Sequence, residues 1–137
     1  MRLERVVSGG QTGVDVAALR AARRAGIPTG GWAPRGWQTL DGPAPWLAEY
    51  GLVESAWDYA GRTSANVRDA DATVRIARDF GSPGEVCTER AIEKWGKPHL
   101  DVNWDGRGFW SKQGVLFLGQ GLFVGDEVGR KQVVWGV

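Results

Sequence analysis

Three glycines fall within six residues in the stretch Ser-Gly-Gly-Gln-Thr-Gly at 8–13. An apolar run precedes it and an alanine-rich run follows. A loop of this composition between a strand and a helix aims several backbone N–H groups at one point, and the helix start adds its partial positive charge. Gly9, Gly10 and Gly13 remove side chains, so an anion can approach the backbone. Ser8, Gln11 and Thr12 add side-chain donors. The chemistry expected is binding of a phosphate or mononucleotide; the plainer alternative is a tight turn that binds nothing. The pattern is neither G-x-G-x-x-G nor a Walker A loop, since no Gly-Lys-Ser/Thr follows.

A second glycine-bearing loop, GSPGEVCTER at 81–90, is again placed to close a strand and open a helix. Ser82, Pro83 and Gly84 leave room for a ligand, and Thr88 stands one turn further on. Glu85 falls where a carboxylate interacts well with a helix dipole. As a functional group it would grip ribose hydroxyls or an amine, and it would disfavour a phosphate on that helix end. Eight tryptophans are many for 137 residues. Trp32 is the indole expected near a flat ring. Arg35, in a Gly- and Pro-rich segment, is a candidate phosphate clamp or a solvated loop charge. No nucleophile–base pair is visible, so no catalytic residue is assigned. His99 has no Cys or His partner, and no metal site is expected.

The elements that would position these residues alternate. Strands are expected at 3–7, 29–33, 72–77, 98–104 and 114–119, and helices at 12–25, 57–69 and 85–95. In the first helix Arg20, Arg23 and Arg24 share one face, and Val14, Ala18, Ala21, Ala22 and Ala25 the other. Gly26 and Pro28 stop it. Residues 34–45 are expected to form a long loop. Residues 121–137 suggest two extended pieces around a Gly-Asp-Glu turn, either a terminal hairpin or an arm that pairs with a neighbouring subunit. The alternation implies an α/β fold with a mostly parallel sheet of five to six strands and helices on both faces. In such a sheet the two glycine loops can flank the switch point.

Net charge is +1, which offers no electrostatic case for nucleic acid. No apolar run approaches membrane-spanning length. The lone cysteine, Cys87, cannot form an internal disulfide, and a cytoplasmic location is expected.

Four segments, SGGQTGVDVAALRAA, GGWAPRGWQTLDG, DYAGRTSANVRDADATV and SPGEVCT, resemble in that order the proteins provisionally named molybdenum (molybdenum-cofactor) carriers. These belong to the SLOG superfamily of Rossmann-like domains, and the resemblance covers about residues 3–102. Gly9, Gly10, Gln11, Thr12, Gly13 and Asp15 match the family's first loop. Trp32, Pro34, Asp41 and Gly42 match the second segment, with Arg35 where a lysine is common. Arg62, Asn66, Asp69 and Asp71 match the third. Gly84 and Thr88 match the last, where Pro83 and Glu85 replace the usual Gly and Thr. The resemblance implies a compact parallel sheet, usually oligomeric, and adds Asn66 to the ligand set. Lonely-Guy phosphoribohydrolases share the superfamily through PGGxGTxxE. Their catalytic glutamate falls here on Ala91, and Glu89 is off by about half a helical turn.

The reading is a single Rossmann-like domain over 1–137. It binds a phosphorylated, nucleotide-derived small molecule without converting it, as storage, delivery or sequestration of an ADP-ribose-type signal. A molybdenum-cofactor carrier and a Lonely-Guy-like nucleoside-monophosphate phosphoribohydrolase are the alternatives. No resident cofactor is implied, since the molybdenum cofactor would be the carried ligand. A homo-oligomer, dimer or tetramer, is expected from the apolar residues Leu122, Phe123, Val133, Val134 and Trp135. No nucleic-acid or membrane partner is expected.

Overall fold

The computed structural model describes residues 3–103 in full, and the backbone of three later strands at 115–118, 121–124 and 132–136. Its main sheet has six strands, all pairings parallel: β1 (Arg5–Ser8), β2 (Thr29–Ala33), β5 (Leu52–Glu54), β6 (Ala72–Ala77), β7 (His99–Asn103) and β10 (Gln132–Gly136). Their spatial order is β5-β2-β1-β10-β6-β7. The helices are α1 (Val14–Arg24), α2 (Tyr59–Asp69) and α3 (Pro83–Trp95). Each follows a strand of this sheet and precedes another, so all three begin at the carboxy-terminal edge.

Val6 and Val7 point to opposite faces, as a strand's period of two requires. Val6 packs with Ala18 and Ala22 of α1 and with Val74, Ile76 and Val102. Val7 packs with Val67 of α2, with Ala70 just after it, and with Ala91 and Ile92 of α3. Helices therefore cover both faces. The small residues of α1 let it lie close to the strands, while Leu19 turns sideways into a third cluster with Ala33, Ala44, Leu47 and Leu52. Arg20, Arg23 and Arg24 face outward as expected; Ala25, expected inside, is exposed because the helix has ended at Arg24.

Three expectations need correction. The segment after β2 is structured: two short turns of 3-10 helix flank a small antiparallel pair, β3 (Gln38–Thr39) and β4 (Gly42–Pro43), and the chain then enters the edge strand β5. The strand expected at 114–119 is not part of the parallel sheet. It is β8 (Val115–Leu118), paired antiparallel with β9 (Gly121–Val124) beside α1. The end of the chain is neither an arm nor a hairpin strand. β10 sits between β1 and β6, with Val133 opposite Val6 and Ala72 and Val134 opposite Val7 and Thr73. A central strand of a parallel sheet reads as a continuous apolar run, as Val133, Val134 and Trp135 do in the sequence. The Gly-Asp-Glu turn lies outside the described residues. Exposed large aromatics among the described residues are Trp46, Trp57, Tyr59 and Trp95. No helix among them is long and apolar enough to cross a membrane.

Candidate functional site

At the carboxy-terminal edge, the connections from β1 and β6 leave β10 in opposite directions. β1 leads through α1 to β2, and β6 leads through α3 to β7. α1 covers one face and α3 the other. This is the geometry of a topological switch point, where open α/β sheets place their ligands. The two glycine loops at 8–13 and 81–84 are the two connections that flank it.

Each loop delivers its helix without a side-chain cap. Gly13 precedes α1 at φ 98°, and Ser82 precedes α3, and neither has a side chain bonded to the first-turn amides. α2 differs: Asp58 accepts a hydrogen bond from the Gly61 amide at 3.0 Å. The first amides of a helix have no intrahelical acceptor; in α1 the Val16 amide donates to the Gln11 carbonyl at 3.3 Å, and α3 opens on Pro83, so what sets these two starts apart from α2 is the lack of a side-chain cap.

The side chains of the first loop hold the loop together. The Ser8 hydroxyl donates to the Asp15 carbonyl at 3.1 Å and accepts from the Gly10 amide at 3.2 Å. Gln11 donates its amide to the Asp15 carboxylate at 3.1 Å, and its side-chain oxygen accepts from the Thr12 and Leu40 amides. Thr12 donates to Asp41 at 3.2 Å. These bonds tie the loop to the β3–β4 pair. Between them lies a cavity of about 550 Å³ whose lining includes Gly10, Thr12, Gly13, Arg20, Asp41 and Trp46. Gly10 has a structural reason of its own: its φ is 76°, and a Cβ would come within 2.6 Å of Leu47 and 2.9 Å of Leu52.

Beneath the two helix starts lies a row of charges, of which the reading of the loops had selected only Glu85. Asp15 of α1 is buried beside Arg62 of α2 at 3.6 Å, and Arg62 lies over Gly9, where a Cβ would collide with its guanidinium. Arg75, in the middle of β6, is held by Asp101 of β7 through two bonds, at 2.7 and 2.5 Å. It also stands 3.8 Å from the Glu85 carboxylate. Burial lifts Asp15 to about 6, against the pull of Arg62. Burial likewise lifts Glu85 to about 7, against Arg75, with the negative charges of Asp15 and Asp101 pushing the same way as burial. Asp15 Oδ1, Arg62 Nε and both oxygens of Glu85 are buried and without hydrogen-bond partners. The signal available in the sequence was Arg75 itself, the one charge inside the apolar run of β6, and Asp15 among the small residues of α1.

The other expected ligand residues are dispersed. Trp32 is occupied along α2: its indole N–H donates to Asp69 at 2.8 Å, and its ring meets Trp57 edge-on at 5.5 Å. Asn66 accepts from the Trp32 amide and donates to its carbonyl, clamping α2 to β2. Arg35 is exposed, beyond β2. Pro83 and Gly84 are the first exposed residues of α3, and Thr88 is buried, its hydroxyl donating to the Gly84 carbonyl at 3.1 Å. Cys87 is half-buried, and burial pushes its thiol up, away from reactivity.

β10 fills the centre of the sheet although it ends the chain, and over residues 6–118 the sequence matches the circularly permutated YpsA SLOG family. The chain belongs to that family. A crystal structure of a protein from Syntrophus aciditrophicus, provisionally named a molybdenum carrier protein, is similar in fold, with a TM-score of 0.76 and 30% identity. The alignment covers 97% of this chain and 80% of that one. No curated protein sequence matches this SLOG chain.

Proposed function

We propose that the chain binds a phosphorylated small molecule at the switch point and carries it unchanged, and that the molecule is of the molybdenum-cofactor kind, a pterin bearing a phosphate. The observation that carries this reading is the contrast in capping. The two helices that start at the switch point have no side-chain cap over their first amides, and the third is capped by Asp58. Free amides at a helix start are an anion site. Each start carries a carboxylate in its first turn, Asp15 in α1 and Glu85 in α3; the phosphate is assigned to Gly13 and the start of α1 because the cavity there is also lined by Arg20. The choice of a pterin phosphate follows the resemblance of the sequence to molybdenum-cofactor carriers; the name of the Syntrophus protein speaks of molybdenum alone. The ADP-ribose-type signal has no support beyond the phosphate chemistry that both ligands share.

Carriage rather than turnover is favoured at Ala91. The Lonely-Guy resemblance would require a glutamate there. Ala91 is instead packed in the core with Val7, Val67, Ala70 and Ile92. The test is a mass spectrum of small molecules released on denaturing the purified protein. A phosphorylated compound, released intact after long incubation, is expected; a dephosphorylated or base-cleaved product contradicts carriage.

A further inference from the structure

Glu85 poses a question of accounting. Its side chain is 1% exposed, and both carboxylate oxygens lack a hydrogen-bond partner. The nearest cation, Arg75, has committed Nε and one terminal nitrogen to Asp101 and donates the other to the Glu85 carbonyl at 3.2 Å. Two acceptors therefore stand shielded from water with no donor, a state buried polar groups rarely keep without a missing partner. Asp15 Oδ1 is in the same state at the start of α1, close enough for its charge to act on Glu85. The dipole of α3 accounts for a carboxylate in the first turn, but not for unpartnered oxygens.

We propose that Glu85 is a specificity residue that accepts two parallel N–H donors from the ring of the carried molecule, and so selects a 2-amino-4-oxopyrimidine ring, as in pterins and in the six-membered ring of guanine, over adenine. The inference rests on the binding reading above and deepens it. A 2-amino-4-oxo ring presents a ring N–H and an exocyclic amine side by side, at the spacing of the two oxygens of a carboxylate. Adenine places a ring acceptor beside its amine and would leave one oxygen of Glu85 facing a lone pair. Arg62 Nε, also buried and unpartnered, is the donor available for the ring oxygen.

The test is calorimetric titration with four probes: a phosphorylated pterin, guanosine monophosphate, inosine monophosphate and adenosine monophosphate. At least one of the two 2-amino-4-oxo probes should bind ten-fold or more tightly than the adenosine compound, with inosine, which lacks the 2-amino group, in between. Glu85→Gln, an isostere that replaces one acceptor by a donor, should remove that preference by weakening the 2-amino-4-oxo probe alone. Equal binding of the adenine probe, binding of none of the four, or an unchanged preference in Glu85→Gln overturns the assignment. The wild-type preference stands as a measurement without the variant. Failure of the parent reading is a different result: purified protein that releases no phosphorylated compound at all.

Discussion

Arg75 and Glu85 face each other at 3.8 Å across the carboxy-terminal edge of the sheet, yet no hydrogen bond joins their side chains. Arg75 spends its donors on Asp101 and on the Glu85 carbonyl. It links β6, β7 and the first turn of α3. Removing it should break this tie and leave Glu85 buried without a cation. Arg75→Met is expected to cost about 3–5 kcal/mol, the usual loss when one partner of a buried ion pair is deleted. Urea unfolding checks this; a loss below 1 kcal/mol would mean that Asp101 and Glu85 do not depend on Arg75.

Stability should fall as pH rises from 5 to 7. Asp15 and Glu85 both have folded values above their ordinary ones, about 6 against 3.8 and about 7 against 4.5. Up to about pH 6 for Asp15 and about pH 7 for Glu85 the unfolded chain has released the proton and the folded chain still holds it, so rising pH favours unfolding there and has no further effect through these groups above pH 7. The groups facing the pair are Arg62 from α2, Arg75 from β6 and Asp101 from β7. The expected loss is on the order of 3 kcal/mol, since one pKa unit corresponds to about 1.4 kcal/mol. Glu85→Gln should flatten much of it. Asp69, which Arg68 holds below the usual range, acts in the opposite sense, but in more acidic solution. Urea midpoints across pH 5–8 decide; a midpoint that rises with pH contradicts the assignment.

Gly10 and Gly13 should separate packing from binding. Gly10→Val forces a β-branched residue to φ 76° and into Leu47 and Leu52. It should destabilise by more than about 2 kcal/mol and lose ligand through loss of structure. Gly13→Ala meets nothing within 4 Å, and its cost comes from the backbone at φ 98° and ψ −121° alone, about 1–3 kcal/mol. Chemical unfolding should rank Gly10→Val well below Gly13→Ala. The reverse order would contradict the packing described around Gly10.

The last strand should be indispensable. Val134→Pro removes a ladder donor from the central strand β10, which pairs on both sides, and proline is tolerated only at sheet edges and bulges. Loss of the cooperative unfolding transition is expected in circular dichroism. A cooperatively folded variant would return the segment to the role of a peripheral arm.

Much of this architecture was legible in the residues. Thr29–Ala33 and Ala72–Ala77 are strands with the expected bounds, because short apolar runs between glycine- or aspartate-marked turns leave little choice. The two glycine loops do flank one switch point. β5 was missed because Leu-Val-Glu is a three-residue edge strand with too little pattern to announce itself. The place of β10 was missed for a different reason: an apolar run at a chain end looks the same whether it enters a sheet centre or seeks a neighbour, and the slot it fills is set by β1 and β6, more than fifty residues away. The charge row was half visible. Arg75 and Asp101 each interrupt a strand, but only the parallel register that sets Arg75 opposite Asp101 reveals them as a pair.

The central claim is that this SLOG chain carries a phosphorylated pterin intact. The most direct measurement is to purify the protein from cells supplied with molybdate, denature it, and analyse the released small molecules by mass spectrometry. The account predicts one phosphorylated 2-amino-4-oxo compound at close to one per chain, unchanged after prolonged incubation with the native protein. Recovery of an adenine nucleotide instead, or of the pterin stripped of its phosphate, would contradict it.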